Sequence, residues 1–405
     1  MKSKDKKSKW IKFRHKVVRR LGILIISPLS KIRYGIKIDP FKDNDRQYLI
    51  LYNHQTAFDQ FFVGMAFKKL LYYVASEDIF SNGKLSSLIR YLVAPIPIKK
   101  QTTDVRAILD CMKVAREGGS IAIAPEGNRT YSGKNCYMNP AIAPLARKLG
   151  LPLALFRLEG GYGVHPRWSD AVRKGNGMRG YVSRVVEPEE YASLSDAELS
   201  ELIERELYVN ECETGGIYPS GKSAEYLERA YYVCAHCGLS EFYSKGDTVS
   251  CKKCGRAARY LPDKTFEGVG CDFPFKNTVE WYDYQCDFIR ALDLTKHCDE
   301  PMYTDKAMIS EVALYKKKIP IGKSCDVKLY GDRICISGDA ELLFPFDEVS
   351  AVTILGRNKI NIYHNKRVYQ MKGDVRMNAL KFVNIFYAYK GTQKGEKNDV
   401  KFLGL

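Results

Sequence analysis

The segment Asn53 to Asp59 (NHQTAFD) places an imidazole and a carboxylate five residues apart, directly after an apolar run. On one continuous helix, residues at this spacing lie about 140° apart, so His54 and Asp59 could not meet. If His54 lies on a loop and Asp59 in the first helical turn, the carboxylate can turn back to the imidazole. It would then fix the tautomer and leave the other ring nitrogen as a general base. A structural His–Asp pair is the alternative interpretation.

The segment Ala124 to Thr130 (APEGNRT) also follows an apolar run. Gly127 permits a tight turn, and the planar fork of Arg129 suits a phosphate. Glu126 could orient that fork or accept a hydrogen bond from a substrate hydroxyl. The alternative is an ordinary turn with a surface ion pair.

Two C-x2-C-G segments stand thirteen residues apart, and their ligand-type residues are Cys234, Cys237, Cys251 and Cys254. Four thiolates at this spacing predict the closed tetrahedral site of a structural zinc in a zinc ribbon, with iron as the minor alternative. We interpret the ribbon as an element that stabilises the fold or as a docking module. Arg256 and Arg259 are too few to form a nucleic-acid patch, so no nucleic-acid partner is predicted.

Taken together, the His54–Asp59 and Glu126–Arg129 segments resemble the glycerolipid acyltransferase family, which carries an N-H-x4-D block and an F-P-E-G-T-R block. The resemblance covers roughly residues 30–210 and includes lesser blocks at 94–100 (APIPIKK) and 151–153. The chain departs from the family at Asn128, where Thr is usual, and at Ala124, where Phe is common. Its third block lacks the usual Gly and has lysines where an Arg is typical. These departures concern the acceptor more than the chemistry.

The resemblance implies that His54 takes the proton of an acceptor hydroxyl as it attacks an acyl thioester, and that Asp59 orients His54. It implies an acceptor-phosphate site formed by Glu126, Gly127, Arg129 and Lys99 or Lys100. The donor would be acyl-CoA or acyl-carrier protein and the acceptor a lysophospholipid. No catalytic cofactor and no covalent acyl-enzyme are implied.

The elements that must position these residues alternate between strand and helix patterns from residue 47 to about 210. Residues 48–52, 70–75, 120–124 and 151–158 are short apolar runs typical of strands. Residues 105–115 follow helical spacing, and Ser195 with Glu198 forms a capping box. This pattern predicts an α/β acyltransferase domain at 38–215, with a mixed sheet and flanking helices.

The remaining chain divides into segments with different patterns. We predict a zinc ribbon at 225–264, a connecting helical segment at 265–304, a C-terminal domain at 305–392 and a tail at 393–405. Short strands followed by a helical stripe through Phe382 and Phe386 predict a small β-barrel or sandwich capped by a helix. This arrangement resembles a pleckstrin-homology-like or GRAM-like domain, for which lipid contact, protein contact and a scaffold role stay open.

The net charge of +17 is concentrated at the N-terminus, where residues 1–37 contain thirteen Lys and Arg and one Asp. In the first twenty residues these alternate with Trp10, Ile11 and Phe13, which predicts a basic amphipathic arm on an anionic membrane surface. A solvated or nucleic-acid-binding tail is the alternative. No apolar run is long enough for a transmembrane span or a signal peptide. The expected location is therefore the cytoplasmic face of a membrane, in peripheral association.

The sequence thus predicts a peripheral 1-acylglycerol-3-phosphate O-acyltransferase-like enzyme that converts 1-acyl-sn-glycerol-3-phosphate to phosphatidate. One alternative is an acyltransferase with another lysolipid or a glycolipid as acceptor. The other is a non-enzymatic membrane adaptor with a degenerate acyltransferase core, against which the intact set of His54, Asp59, Glu126 and Arg129 argues.

Overall fold

The computed structural model describes residues 9–43, 45–98, 104–313 and 316–393. The predicted phosphate ligands Lys99 and Lys100 lie outside the described residues. So do the first eight residues of the predicted arm and residues 394–405 of the predicted tail.

A seven-stranded mixed sheet forms the N-terminal part, as the alternating pattern predicted. Its strands are β1 (Ile36–Ile38), β2 (Leu49–Tyr52), β3 (Leu71–Ser76), β4 (Ile96–Ile98), β5 (Ser120–Ile123), β6 (Leu153–Glu159) and β7 (Met178–Val186). Their order across the sheet is β1-β7-β6-β2-β5-β3-β4. Only β6 and β7 pair antiparallel, and the other neighbours are parallel.

Helices cover both faces of this sheet, because its central strands are apolar on both sides. The helices are α1 (Phe13–Tyr34), α2 (Asp59–Ala66), α3 (Lys84–Val93), α4 (Val105–Arg116), α5 (Ile142–Leu149), α6 (Gly161–Val164), α7 (Pro188–Ala192) and α8 (Asp196–Leu207). In β2, Leu49 and Leu51 belong to one core, and Ile50 and Tyr52 belong to the core on the opposite face. The predicted capping box is present at the start of α8.

The N-terminal arm differs from its prediction in where its apolar residues lie. Glu117 accepts hydrogen bonds from the backbone N–H groups of Trp10 and Ile11, and the Trp10 indole donates to Ala94 O at 3.1 Å. Both side chains are half-buried and pack against the core on one face of the sheet. They therefore do not belong to an exposed apolar face of the arm, whose contact with a membrane stays a prediction. Among the residues that the structure describes, no helix combines the length and apolarity needed to cross a bilayer.

The cysteine-rich segment forms a small antiparallel unit followed by a helix. Its elements are β8 (Val233–Cys234), β9 (Gly238–Leu239), β10 (Phe242–Lys245), β11 (Thr248–Cys251), β12 (Ala257–Tyr260), β13 (Phe266–Val269) and α9 (Thr278–Ala291). Strands β8 and β9 form a hairpin, and β10 to β13 form a four-stranded sheet. Strand β13 lies in the range that the sequence assigned to the connecting segment, and it pairs with β12.

The C-terminal part is a seven-stranded antiparallel sheet closed by a helix, as predicted in outline. The elements are β14 (Tyr303–Glu311), β15 (Ile319–Leu329), β16 (Arg333–Gly338), β17 (Leu342–Pro345), β18 (Val349–Leu355), β19 (Lys359–His364), β20 (Arg367–Gly373) and α10 (Leu380–Gln393). The strand order is β17-β16-β15-β14-β20-β19-β18.

The C-terminal sheet contacts the N-terminal part through a half-buried carboxylate, Asp78, in the short 3-10 helix Glu77–Phe80. Asp78 forms ion pairs with Lys318 at 2.8 Å and with Lys359 at 3.1 Å. Burial raises the pKa of Asp78, but Lys359, Lys318 and a hydrogen bond from Gln370 outweigh it and lower that pKa to about 2. A single hydrophobic core also joins Trp168 of the N-terminal part to the cysteine-rich unit and to this sheet.

Candidate active site

The His–Asp pair lies at the carboxyl end of β2, where the chain leaves the sheet. Asp59 is the first residue of α2, and the loop that carries His54 precedes it. His54 Nδ1 and Asp59 Oδ2 are 2.8 Å apart, the His54 side chain is 21% exposed and Asp59 is fully buried. Because an ionised carboxylate can only accept a hydrogen bond, this contact keeps the proton on Nδ1 and leaves Nε2 as the basic nitrogen.

Asp59 is held in place by donors from its own loop. It accepts hydrogen bonds from the backbone N–H groups of Gln55 and Thr56 and from the Thr56 hydroxyl at 2.6 Å. These bonds satisfy the carboxylate at the start of the helix, where a negative charge is also favoured by the helix dipole. The Asp59 carboxylate, which accepts the hydrogen bond from His54 Nδ1, is therefore preorganised.

The residues on either side of His54 are anchored to the strand and loop next to it. Asn53 forms reciprocal hydrogen bonds of 2.8 and 2.7 Å with the backbone of Leu158 in β6. The Gln55 side chain accepts from Gly161 N and donates to the fully buried Glu211. The sequence analysis missed Gln55 and Glu211, because the two residues are 156 positions apart and no motif links them.

Glu126 is buried in the second loop and contacts His54 through its backbone. Its carboxylate accepts from His54 N at 2.7 Å, from Cys136 N at 2.7 Å and from the Asn135 side chain at 3.1 Å. Burial raises the pKa of Glu126 to about 8, although these three hydrogen bonds oppose the shift. A carboxyl group with these partners holds the two loops together, whereas the sequence had assigned it to the acceptor phosphate.

The same loop brings Arg129 to the site. Thr130 N donates to His54 O at 3.1 Å, so both backbone groups of His54 are bonded to this loop. Gly127 has a positive φ of 68°, and a Cβ at this position would meet only open space, so its turn is exposed. Burial, Arg167 and Arg357 lower the pKa of Arg129 to about 9. Within the described residues, Arg129 Nη1 is buried and has no hydrogen-bond partner.

Arg167, which the sequence analysis did not single out, supports this loop through hydrogen bonds to its backbone. It is 2% exposed, and it donates to Arg129 O at 2.8 Å and to Gly356 O at 3.1 Å. Its guanidinium lies 4.2 Å from the centre of the Tyr131 ring. Gly356 belongs to the turn between β18 and β19, so Arg167 links the Arg129 loop to the C-terminal sheet.

The four predicted metal ligands come together away from this site. The Sγ atoms of the cysteine quartet, Cys234, Cys237, Cys251 and Cys254, all lie within 4.8 Å of one another. The Cys234–Cys254 and Cys237–Cys251 Sγ pairs are 3.8 and 3.6 Å apart. A tetrahedron with Zn–S bonds of ~2.3 Å has S–S edges of about 3.8 Å, so the quartet fits such an ion.

Residues 36–155 match the family model described as Acyltransferase. This part of the chain is therefore acyltransferase-like, and the predicted resemblance to acyltransferases is confirmed. The match includes both polar loops, with His54, Asp59, Glu126 and Arg129.

Solved structures similar to this chain include the 1-acyl-sn-glycerophosphate (LPA) acyltransferase PlsC from Thermotoga maritima. It is 21% identical, with 48% of this chain and 80% of that chain covered and a TM-score of 0.39. The solution structure of the N-terminal PH domain of the human ARAP2 protein is 15% identical, with 22% and 81% covered and a TM-score of 0.19. No curated protein matches the chain.

Proposed function

We propose that this protein transfers an acyl chain from a thioester, acyl-CoA or acyl-carrier protein, to the free hydroxyl of a lysophospholipid. The favoured acceptor is 1-acyl-sn-glycerol-3-phosphate, and the product would be phosphatidate. The observation that carries this proposal is the His54–Asp59 pair, at 2.8 Å, bonded through the His54 backbone to the loop that presents Arg129. The loop that carries the base is thereby bonded to the loop that carries a cation.

His54 Nε2 would take the proton of the acceptor hydroxyl as its oxygen attacks the thioester carbonyl carbon. The imidazolium that forms is stabilised by the Asp59 carboxylate on Nδ1. When the tetrahedral intermediate collapses, the C–S bond breaks and His54 returns the proton to the departing thiolate. The products are the new ester and the free thiol, so atoms and charge balance without a cofactor.

Arg129 supports a phosphorylated acceptor over a neutral one. Its buried Nη1 group lacks a partner among the described residues, and an unpaired buried donor is costly. A phosphate oxygen would satisfy it with a charge-assisted hydrogen bond. We assign Glu126 to positioning of His54 and Gly127 to the turn that presents Arg129.

A membrane-facing surface supports the expected access to a bilayer-embedded acceptor. One side of α1 docks on the domain, where His15 is buried and bonds with Tyr72. The opposite side exposes large apolar side chains at helical spacing: Phe13 (80%), Val17 (40%), Leu21 (55%), Leu24 (71%), Ile25 (61%), Leu29 (58%) and Ile32 (84%). We propose that this α1 face lies in the membrane interface, with the basic arm attracted to anionic lipid.

We also propose that the cysteine quartet holds a structural zinc ion. The quartet already has the geometry of four thiolate ligands, and Ser240 Oγ lies 3.1 Å from Cys251 Sγ as an outer hydrogen-bond partner. A four-sulfur site leaves no open position on the ion, so its role would be to stabilise the fold.

The proposed activity can be tested by free-thiol release. Purified full-length protein receives acyl-CoA together with lysophosphatidate, a neutral monoacylglycerol or other lysolipids, presented in detergent and in anionic vesicles. Thiol release with lysophosphatidate, and its loss by 10²- to 10⁴-fold in His54→Ala, is the expected result. A folded His54→Ala protein with the wild-type rate would refute the mechanism. If none of the acceptors in the panel supports thiol release, the proposed reaction is refuted.

A further inference from the structure

Three polar groups in the region of the Arg129 side chain are buried without a hydrogen-bond partner among the described residues. They are Tyr34 Oη, His165 Nδ1 and Arg129 Nη1 itself. Tyr34 and His165 are 4% and 5% exposed, and their ring centres are 6.0 Å apart. The Tyr34 ring also lies 5.5 Å from that of Phe58, the residue directly before Asp59. Tyr34 therefore lies beside the loop that carries His54, and neither Tyr34 nor His165 has a role in the mechanism above.

The tautomer of the His165 ring makes its Nδ1 a hydrogen-bond donor. Arg357 Nη2 lies 3.1 Å from His165 Nε2, and a guanidinium can only donate, so Nε2 accepts. Burial, Arg357 and Arg129 lower the pKa of His165 to about 4, so the ring is neutral at physiological pH and carries its proton on Nδ1. Tyr34 and Arg129 also offer hydrogens. Three donors without an acceptor in one buried region are what an anion with several oxygens requires.

The charges around this region lead to the same conclusion. Arg129, Arg167 and Arg357 lie close enough that the latter two lower the pKa of the first. Two carboxylates oppose these charges: Asp59, which acts on both Arg129 and Tyr34, and Asp170, which is shared between Arg357 at 2.5 Å and Arg229 at 2.8 Å. Positive charge is thus in excess, and a phosphate monoester of charge about −2 would balance it.

Arg357 comes from the C-terminal sheet, in the turn between β18 and β19. Its Nε donates to Arg167 O at 3.2 Å, 190 residues away, while Arg167 donates back to Gly356 O. The side chain of Arg357 is 30% exposed. These two hydrogen bonds hold the turn against Arg167, which in turn donates to the backbone of the loop that presents Arg129.

We propose that Tyr34 and His165 join Arg129 as direct ligands of the acceptor's phosphate, and that Arg357 of the C-terminal sheet is the positioning residue that orients His165. The C-terminal sheet is then a structural part of the acceptor site. This inference rests on the proposed function for its substrate, but the anion site itself can be tested without turnover.

Inorganic phosphate is the probe for the site in full-length protein. Phosphate should raise the melting temperature of the wild type in a saturable way, and Tyr34→Phe should weaken its apparent affinity on the order of 10- to 100-fold, the range for a hydrogen bond to a charged group. Without phosphate, Tyr34→Phe should melt at or above the wild-type temperature, because the lost hydroxyl has no partner to lose. A merely structural tyrosine would instead lower it.

Kinetics then separate positioning from folding. Arg357→Ala should raise KM for lysophosphatidate about tenfold or more, with kcat and KM for acyl-CoA nearly unchanged, and Arg357→Lys should recover part of the loss. The matched control is Arg367→Ala in the next hairpin of the same sheet, where Arg367 is 63% exposed and 4.0 Å from Glu311. It should behave as wild type.

The outcomes distinguish the two proposals. Phosphate binding that depends on Tyr34 and Arg357, without acyl transfer to lysophosphatidate, would keep the anion site and refute the proposed acceptor. Wild-type phosphate affinity in Tyr34→Phe and unchanged KM in Arg357→Ala would overturn the inference, whatever the activity.

Discussion

Asp59→Asn removes the charge that faces the imidazole while almost preserving shape. The new amide has an orientation in which its oxygen takes the place of Oδ2 and still accepts from His54 Nδ1 and Gln55 N. Its nitrogen then takes the place of Oδ1. The Thr56 hydroxyl, which donates to Oδ1 at 2.6 Å in the wild type, can rotate to accept from this nitrogen, and the Thr56 N–H keeps only its 2.9 Å bond to the oxygen at the Oδ2 position. The fold should therefore lose only about 1 kcal/mol of stability.

The rate should fall far more than the stability. In the transition state His54 becomes an imidazolium, and unit charges about 4 Å apart at an effective dielectric constant of ~20 attract by ~4 kcal/mol. Loss of that attraction raises the barrier by the same amount. At 1.36 kcal/mol per factor of ten, turnover should drop about a thousandfold.

The assay is thiol release at saturating acyl-CoA, with thermal unfolding measured on the same samples. Asp287→Asn is the matched control, because Asp287 is 69% exposed and pairs only along helix α9 with Arg290 among the described residues. If Asp59 acts through His54, adding Asp59→Asn to His54→Ala should cost little further rate. A folded Asp59→Asn protein within threefold of the wild-type kcat would refute this reasoning.

Three further predictions concern the rest of the molecule. Protein purified without added zinc should carry one zinc ion per chain, and Cys251→Ser should lose it and melt at a lower temperature without a change in the chemistry. Leu24→Lys and Ile32→Lys should each weaken the affinity of the protein for anionic vesicles by about 10-fold or more, and turnover of a detergent-dispersed acceptor should be unchanged. Asp78→Asn should lose about 2 kcal/mol of stability at pH 7, because the lowered pKa of Asp78 stabilises the fold above about pH 4. This difference from the wild type should vanish as the pH falls from 4 to 2.

Each of these predictions has a control elsewhere in the chain. Cys335→Ser lies outside the quartet and should keep the metal. Leu343→Lys changes a leucine that is 54% exposed on β17 and should leave vesicle binding unchanged. Asp326→Asn removes an exposed ion pair of 3.6 Å and should change stability little at any pH. A folded wild type without metal, vesicle binding insensitive to the α1 changes, or a pH-independent effect of Asp78→Asn would each contradict its prediction.

The contacts that depend on local spacing could be predicted from the sequence. His54 and Asp59 meet because a strand ends at Tyr52 and a helix starts at Asp59. The apolar run predicted the strand, and the helix start was the condition under which the pair could form. The cysteine quartet likewise follows from two turns and their spacing. In these cases the chain itself limits how far apart the side chains can be.

Contacts that depend on docking could not be predicted. Arg357 and Arg167 meet across 190 residues only because the C-terminal sheet packs where it does. The basic N-terminal pattern suits a membrane or a protein surface equally. It does not reveal that the half-buried Glu117 binds the backbone of Trp10 and Ile11, whose side chains pack against the sheet core. For Glu126, the residue type was identified, but its three hydrogen-bond donors depend on the path of the loop to Cys136.

The hydrophobic core that contains Trp168 has a practical consequence for dissecting this protein. Trp168 and Tyr131 of the N-terminal part, Trp281 of α9 and Phe382 of α10 belong to one continuous cluster. A chain cut after the acyltransferase domain would leave the first two as an exposed aromatic patch, which favours aggregation. The segments are therefore not interchangeable modules, and swapping one for its counterpart from another protein would require the facing surfaces to be transplanted together.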